Sequence, residues 1–218
     1  MLRSSAALLL LSIPYFLFPS TDPMSTSEGQ LASSKKVGPL RIEQSGMYSA
    51  IADISRRTGI PVGLDERSPL NPPSIIVNFA GGIAKDLFDQ LVSAAPNYEW
   101  QEDSDGFVYV SRRDQHNPLL SQVIDFPGVN GETPWEVWSD MPKWTSLNEQ
   151  LRAQGCSLTQ VVPNKEFRTK TDRISIGPEH VSLRLLLDQI ALQSGTKRWA
   201  VLESATQSGS CEVEIRFW

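Results

Sequence analysis

The chain has 218 residues, of which 40% are hydrophobic and 21% are charged, and this composition is typical of a globular protein. Its 20 basic and 25 acidic side chains give a formal net charge of −5, which argues against nucleic-acid binding and against electrostatic docking on an anionic membrane. The two histidines and two cysteines lack the spacing of a structural zinc site, and we expect no cofactor. The length allows one large or two small domains.

The first 20 residues (1–20) predict a targeting segment. Arg3 precedes an apolar run over residues 6–18, which is typical of a secretory signal and shorter than the roughly 20 apolar residues that span a bilayer. Because Phe18 and Pro19 stand where cleavage requires small residues, an uncleaved short membrane anchor is the alternative to a signal peptide. We expect the rest of the chain to be exported, with membrane contact only through this segment.

A flexible linker is predicted over residues 21–39, which are rich in Ser, Thr, Gly and Pro and show no periodicity. Order should begin near Leu40, at the start of a first unit over residues 40–113. Two amphipathic helices are predicted in this unit, because apolar residues recur at i, i+3, i+4 and i+7. These apolar residues are Met47, Ala50, Ile51 and Ile54 in one helix, and Ala84, Leu87, Phe88 and Leu91 in the other.

Short apolar runs predict the strands of the first unit at 41–43, 60–64, 75–77, 98–101 and 107–111. Pro61 has no backbone N–H to donate to a ladder, which favours an edge position for the second of these strands. The last two strands flank an Asp-Ser-Asp-Gly sequence at 103–106, which predicts a hairpin turn. The unit therefore has the order β-α-β-β-α-β-β.

The second half, residues 120–218, repeats this order at an offset of 99 residues. The sequence LFDQL at 87–91 corresponds to LLDQI at 186–190, and Trp100 corresponds to Trp199. The other matching elements are a strand at 123–126, a helix ending at Gly155, a strand at 174–176 and a hairpin of strands 197–202 and 211–217. We therefore predict an α+β fold of two tandem β-α-β-β-α-β-β units, with helices packed against short sheets.

Three tryptophans, Trp135, Trp138 and Trp144, lie in an insertion that the first unit lacks. Trp135 and Trp138 are three residues apart, a spacing that places them on one face of a helix. On the surface, such a cluster would stack on glycan rings or contact a hydrophobic partner. The other interpretation, which we favour, is that the three rings cap the core of the second unit or pack between the units.

The layout resembles the short N-terminal domain that secretins and TonB-dependent transducers share. The segments that carry the resemblance are a strand, a helix ending in Thr-Gly, a strand, a second helix and a closing strand, at 40–42, 55–59, 75–79, 86–92 and 106–110. In that family the domain binds partners, passes signals or nucleates assembly, and it performs no catalysis. The resemblance therefore implies a periplasmic, non-catalytic protein-interaction module of the cell envelope.

Such a module is expected to dock through exposed strand edges to a protein partner in a secretion, pilus or transport and signalling assembly. Because no barrel or pore segment follows in the sequence, we do not expect the chain to be a channel or receptor itself. The alternative function is a glycan- or peptidoglycan-binding protein that uses Trp135, Trp138 and Trp144.

A disulfide is expected between the two cysteines if the topology of the related domain holds here. In that topology the strand after the first helix of a unit lies in the same sheet as the final hairpin. Cys156 alternates with Leu158, and Cys211 alternates with Val213, so both cysteines should point toward the core. Export to an oxidising compartment permits the bridge. Two separately buried thiols are the alternative.

The candidates for catalysis and metal binding are weak. His116 and His180 are not accompanied by any nucleophile or metalloprotease motif, so we expect both to be surface residues without a catalytic role. The acidic residues Glu102, Asp103 and Asp105 resemble the start of a calcium loop, but an apolar strand follows where further ligands are needed. We therefore expect no enzyme, and a hydrolase with degenerate motifs is the least favoured alternative.

Overall fold

In the computed structural model of the chain, residues 31–67, 72, 74–205 and 210–218 are described, and the predicted signal segment at 1–20 lies outside them. The described part is α+β, as predicted. Its α-helices are α1 (Met47–Thr58), α2 (Ala84–Ala94), α3 (Pro134–Asp140), α4 (Thr145–Ala153), α5 (Lys165–Arg168) and α6 (Leu183–Gln193). None of the described helices is long and apolar enough to cross a membrane.

The described strands fall in both halves of the chain. Those before residue 113 are β1 (Lys36–Val37), β2 (Leu40–Ser45), β3 (Val62–Arg67), β4 (Ser74–Phe79), β5 (Gly82–Ile83), β6 (Tyr98–Glu102) and β7 (Val108–Arg112). Those after it are β8 (Val123–Phe126), β9 (Val129–Glu132), β10 (Cys156–Thr159), β11 (Ile174–Ile176), β12 (Glu179–Ser182), β13 (Arg198–Ala205) and β14 (Cys211–Phe217).

One six-stranded sheet contains strands from both halves, in the order β10-β14-β13-β3-β7-β6. In the first half, β3 runs parallel to β7, and β6 runs antiparallel to β7. In the second half, β10 runs parallel to β14, and β13 runs antiparallel to β14. The halves meet where β13 pairs in parallel with β3 over six residue pairs, from Arg198 opposite Val62 to Glu203 opposite Arg67. The sequence predicted only short separate sheets.

Four two-stranded antiparallel sheets accompany the large one in the described residues. In the first half β1 pairs with β5 and β2 pairs with β4. In the second half β8 pairs with β12 and β9 pairs with β11. The two halves therefore have the same nested arrangement, in which the outer strands pair with each other and the inner strands do likewise.

The helices begin and end where local chemistry dictates. Gly59 caps the C-terminal end of α1. Its φ of 67° suits glycine, and its N–H donates to the Ser55 carbonyl at 2.7 Å. Helix α3 begins with a capping box, in which Thr133 and Glu136 satisfy each other's backbone N–H groups. Helices α1 and α2 bury the apolar faces that the i, i+3, i+4, i+7 spacing predicted. Helix α6 buries residues at the same spacing, Leu183, Leu186, Leu187 and Ile190.

Two hydrophobic cores form, and each takes residues from both halves. The first-half core contains Ala200 and Leu202 of β13. The second-half core contains Phe107 and Tyr109 of the β6–β7 hairpin. Each core includes residues of the other half because β3 and β13 pair, so that one continuous sheet contributes side chains to both cores.

Two local predictions are wrong. Strand β3 lies in the middle of the six-stranded sheet rather than at an edge, because Pro61 precedes the first strand residue and therefore removes no ladder donor. The carbonyl of Pro61 accepts a hydrogen bond from the Val108 N–H at 3.0 Å. The predicted flexible linker is structured from residue 31 onward, because Ala32 and Val37 are buried and β1 pairs with β5.

Candidate functional site

The same Trp–Asp hydrogen bond occurs in both halves, at positions 99 residues apart. In the first half, Trp100 of β6 donates its Nε1–H to Asp89 of α2 at 2.9 Å. In the second half, Trp199 of β13 donates to Asp188 of α6 at 2.6 Å. The sequence shows that the tryptophans and the Asp-Gln pairs both repeat at this offset, but it does not show that each Trp bonds to the Asp of its own half. The signal was an Asp on the apolar side of a helix in each half.

The surroundings of the two carboxylates differ. Asp89 is half-buried, and its hydrogen bond from Lys85 lowers the pKa of the carboxyl below its ordinary value. Asp188 is 4% exposed and also accepts a hydrogen bond from the Tyr109 hydroxyl. Burial raises the pKa of Asp188 to about 7, although the bonds from Tyr109 and Trp199 oppose the shift. The Trp199–Asp188 pair is therefore buried at the place where Tyr109 of the first half meets the second half.

Strands β3 and β13 approach each other at a glycine. Gly63 lies directly opposite Trp199, whose side chain is fully buried. A Cβ added at Gly63 would lie within 2.9 Å of three atoms of the indole ring, closer than real Cβ atoms come. The Trp199 ring therefore occupies the space that a side chain at position 63 would fill. A glycine inside an otherwise apolar strand was the sequence signal for this close approach.

A cleft of about 420 Å³ opens beside this junction. Asp65 of β3 lines it and accepts the backbone N–H of Asn117 at 2.8 Å, while burial raises the pKa of the Asp65 carboxyl to about 6. Asn117 is 7% exposed, and its Nδ2 has no hydrogen-bond partner among the described residues. Arg184 of α6 lies over the Tyr109 ring, 4.6 Å from its centre. Polar and apolar side chains line the cleft together, and Trp199 is one of the apolar ones.

His116 also lines this cleft, but no described nucleophile is paired with it. Its Nε2 lies 3.6 Å from a Glu99 oxygen. The Ser121 hydroxyl, on the same cleft, donates to the Pro118 carbonyl. A nucleophile and base acting together need a direct hydrogen bond, whereas His116 and Ser121 each have another partner in this cleft.

The other candidate ligand groups do not converge. His180 of β12 pairs with Asp125 of β8 at 2.5 Å on the exposed face of a two-stranded sheet. Asp103 caps the β6–β7 turn by accepting the N–H groups of Asp105 and Phe107, each at 2.9 Å. In the described part of the chain, no group of three or more His, Cys, Asp or Glu residues is placed to hold a metal ion.

The predicted contact patch of three tryptophans does not form on the surface. Trp138 and Trp144 are each 4% exposed and belong to the second-half core, which agrees with the favoured interpretation, so for these two residues the surface alternative is wrong. Trp138 donates toward the Ile215 carbonyl at 3.4 Å, and Trp144 packs edge-on against Phe126. Only Trp135 is half-buried, with its ring stacked on Trp138. The insertion packs against the second-half core because this contact removes its apolar rings from water.

We expect Trp135→Ala to lower the free energy of unfolding by about 1 kcal/mol, because it removes one stacked aromatic partner while Trp138 stays in the core. Urea denaturation measures this change. The same variant tests the glycan alternative: binding of wild type to insoluble peptidoglycan or chitin that Trp135→Ala abolishes would support it. Absence of binding by both proteins would eliminate it.

The two cysteines form a disulfide, as the resemblance implied. Cys156 begins β10 and Cys211 begins β14, and the two residues lie directly opposite each other in the parallel pair with their Cα atoms 4.3 Å apart. Both side chains pack against the second-half core. A disulfide of this kind is typical of an oxidising, exported location.

The six-stranded sheet ends in two strands, β6 and β10, that each have one strand neighbour among the described residues. The direction of the β6 groups follows from its bonds to β7. Arg113 donates to the Asn97 carbonyl, and Asp103 donates to the Phe107 carbonyl. Because antiparallel pairs alternate, every second residue of β6 faces β7. The backbone groups that face away from β7 are those of Tyr98, Trp100 and Glu102. At Tyr98 both are already bonded, the N–H to the Ala95 carbonyl at 2.9 Å and the carbonyl to the Arg113 side chain at 3.0 Å.

Acidification is expected to stabilise the fold through Asp188. Its folded pKa of about 7 exceeds the ordinary 3.8, so the folded state binds the proton more tightly and its stability falls as the pH rises from about 4 through 7. Between pH 8 and pH 5.5 the gain is about 2 kcal/mol. Chemical denaturation at both pH values measures it. Asp188→Asn should remove most of this rise and leave the smaller part that Asp65 contributes, because burial raises the pKa of Asp65 to about 6.

The matched control for this pH effect is Asp89→Asn, at the equivalent position of the first half. The pKa of Asp89 is lowered, so its contribution to stability has the opposite sign and lies at lower pH. Asp89→Asn should therefore leave the rise between pH 8 and pH 5.5 in place. An equal loss of the rise in both variants would contradict the assignment to Asp188.

Comparison of the chain with protein-family models, curated proteins and solved structures finds no match.

Proposed function

We propose that the chain is an exported, non-catalytic protein-interaction module of the cell envelope, built from two copies of one α+β unit, of which the second is divergent. The copies span residues 40–113 and 120–218 and resemble the short N-terminal domain of secretins and TonB-dependent transducers. Their equivalence is supported by the nested strand pairs that both halves contain. The Trp–Asp bond at an offset of 99 residues supports it at the level of side chains.

The open β6 edge is the observation that carries the proposed function. The outward N–H and C=O groups of Trp100 and Glu102 can bind a short extended segment of another protein by strand addition. Trp100, beside this edge, is half-buried and supplies an apolar contact. Glu99 and Glu102 flank it, so the preferred partner segment is extended and carries basic residues next to an apolar one. The partner is a component of a secretion, pilus or transport assembly.

A periplasmic location is part of the proposal. The disulfide agrees with an oxidising compartment, and the cationic start with its apolar run agrees with export. The enclosed placement of Asp188 supports a structural role for this carboxylate, because two hydrogen bonds hold it away from solvent. The module therefore acts by binding alone.

Photo-crosslinking in the producing cells tests the docking edge. A photoreactive residue replaces Gln101, which is exposed on β6, or Leu192, which is 45% exposed on α6 and serves as the control position. We expect the probe at position 101 to form an adduct with a different envelope protein and the probe at position 192 to form none. Adduct identities are read by mass spectrometry.

A second substitution links the adduct to the backbone of the edge. Glu102→Pro removes one outward N–H without removing a bond to β7, so it should abolish the adduct at position 101. Adducts with other proteins at equal level from both probe positions would overturn the proposed function, as would their absence from both.

A further inference from the structure

We propose that the cleft beside the β3–β13 junction binds a small zwitterionic ligand of dipeptide size, with its ammonium group on Asp65 and its carboxylate on Arg184. This inference goes beyond the proposed function, because it needs neither the β6 edge nor an envelope partner. It starts from the place of the cleft on the large sheet and from the two opposite charges that line it.

The floor of the cleft is the face of the sheet opposite the first-half core. Leu64 of β3 belongs to that core, so the next residue, Asp65, points to the other face. Ser111 of β7 lies directly opposite Asp65, and Tyr109 precedes Ser111 by two residues. The segment 116–121 and the start of α6 complete the lining. The volume of about 420 Å³ lies within the range of small-ligand pockets.

Asp65 is only 8% exposed but keeps one carboxylate oxygen open to the cleft. Its Oδ2 accepts the Asn117 N–H at 2.8 Å. No described residue donates to Oδ1, and the fold does not enclose this atom, so it can accept a bond from a ligand. Arg67 on the same strand pairs with Glu203 instead. Because a buried carboxylate without a cationic partner is costly, a ligand ammonium group would stabilise it.

Arg184 brings a positive charge to the same cleft. Its guanidinium lies 4.6 Å from the centre of the Tyr109 ring, and none of the ion pairs among the described residues includes it. Asp188, one turn further along α6, accepts hydrogen bonds from Tyr109 and Trp199. The Arg184 side chain is exposed, so its planar donors can bind a ligand carboxylate.

The spacing on the floor indicates the size of the ligand. Tyr109 pairs with the residue two positions before Asp65, so the two side chains are displaced by about 7 Å along the strands. Two residues of an extended peptide span about the same length. A dipeptide along β3 would therefore bring its ammonium group to Asp65 and its carboxylate to the end where Arg184 lies. Pro118 and Leu120 provide apolar surface for a ligand side chain.

NMR titration of the purified, ¹⁵N-labelled full chain with the dipeptide Ala-Leu tests the proposal. At pH 7 the Asp65 carboxyl, with a pKa of about 6, is mostly ionised, and the peptide amino group, with a pKa of about 8, is mostly protonated. We expect saturable shifts of the backbone amides of Ser111, Asn117 and Ser121. Asp65→Asn should weaken binding by about tenfold or more, because it removes a charge-assisted bond.

Two controls separate this loss from damage to the fold. Asp65→Asn keeps an oxygen that can accept the Asn117 N–H, and circular dichroism and the melting temperature establish that the variant is folded. Asp89→Asn neutralises a carboxylate outside the cleft and should bind Ala-Leu like wild type. An Asp65→Asn variant that is folded and binds as tightly as wild type would overturn the proposal.

Blocked peptides assign each charge of the ligand to one side chain. N-acetyl-Ala-Leu lacks the ammonium group, so it should bind wild type weakly, and Asp65→Asn should not weaken it further. The amide of Ala-Leu lacks the carboxylate and should have the same relation to Arg184→Gln. Arg184→Lys keeps the charge and should retain part of the affinity for Ala-Leu. Equal affinity of the free and blocked peptides for wild type would contradict both assignments.

The result for the cleft is independent of the result for the docking edge. Absence of saturable shifts with Ala-Leu up to about 10 mM would overturn the inference, because even weak small-ligand sites are occupied at that concentration. That outcome would leave the crosslinking of position 101 to an envelope protein unaffected. Conversely, absence of that adduct would overturn the proposed function without changing the binding of Ala-Leu.

Discussion

Removing the Cys156–Cys211 bridge is expected to lower the free energy of unfolding by about 4 kcal/mol. The two residues are 55 apart in the sequence, so the bridge closes a long loop and restricts the unfolded chain. The double variant Cys156→Ser/Cys211→Ser removes it with little change in side-chain volume. Urea denaturation of wild type and variant, both without reductant, measures the difference.

Reductant provides the control for this prediction. Dithiothreitol should destabilise wild type to about the level of the double serine variant and leave the variant unchanged. Mass spectrometry after alkylation of the native protein should find no free thiol. Two alkylated cysteines in untreated protein, or a variant as stable as wild type, would contradict the stabilising bridge.

Replacing Gly63 by alanine is expected to lower the free energy of unfolding by about 3 kcal/mol. The new methyl group would lie within 2.9 Å of the Trp199 ring, which is fully buried and held by its bond to Asp188. The ring cannot move without breaking that bond or separating β3 from β13, so the strain is at the upper end of the range for overpacking. Thermal and urea denaturation measure it.

A double-mutant cycle isolates the contact between the two positions. Trp199→Phe shortens the ring next to position 63, so Gly63→Ala should cost less in that background than in wild type. Gly38→Ala is the matched control, because a Cβ at Gly38 meets nothing within 4 Å. Equal costs in both backgrounds, or equal costs at positions 38 and 63, would show that Trp199 does not restrict this site.

The features predicted correctly are those determined by short stretches of sequence. Helices α1, α2 and α6 follow from apolar spacing over three turns, and the β6–β7 hairpin follows from its Asp-Ser-Asp-Gly turn. The disulfide was predictable once the resemblance placed Cys156 and Cys211 in one sheet. The residues that determine each helix and the hairpin lie within that element, and the two cysteines lie directly opposite each other on paired strands.

The pairing of β3 with β13 was not predictable, because strand partners distant in sequence share no local pattern. Pro61 led to the wrong prediction that β3 is an edge strand, because a proline excludes a central position only when it lies inside the strand and not before it. The polar cluster around Asp188 was missed because Tyr109, which binds it, comes from the other half of the chain.

The shared sheet also determines the order of folding during synthesis. Arg67 of β3 and Glu203 of β13 form an ion pair across 136 residues of sequence, so β3 has no neighbour on that side until β13 has been made. Such distant pairing is slow, because a long loop must close before the contact forms. The nascent first half therefore exposes the unpaired backbone edge of β3, and refolding yield should fall as protein concentration rises.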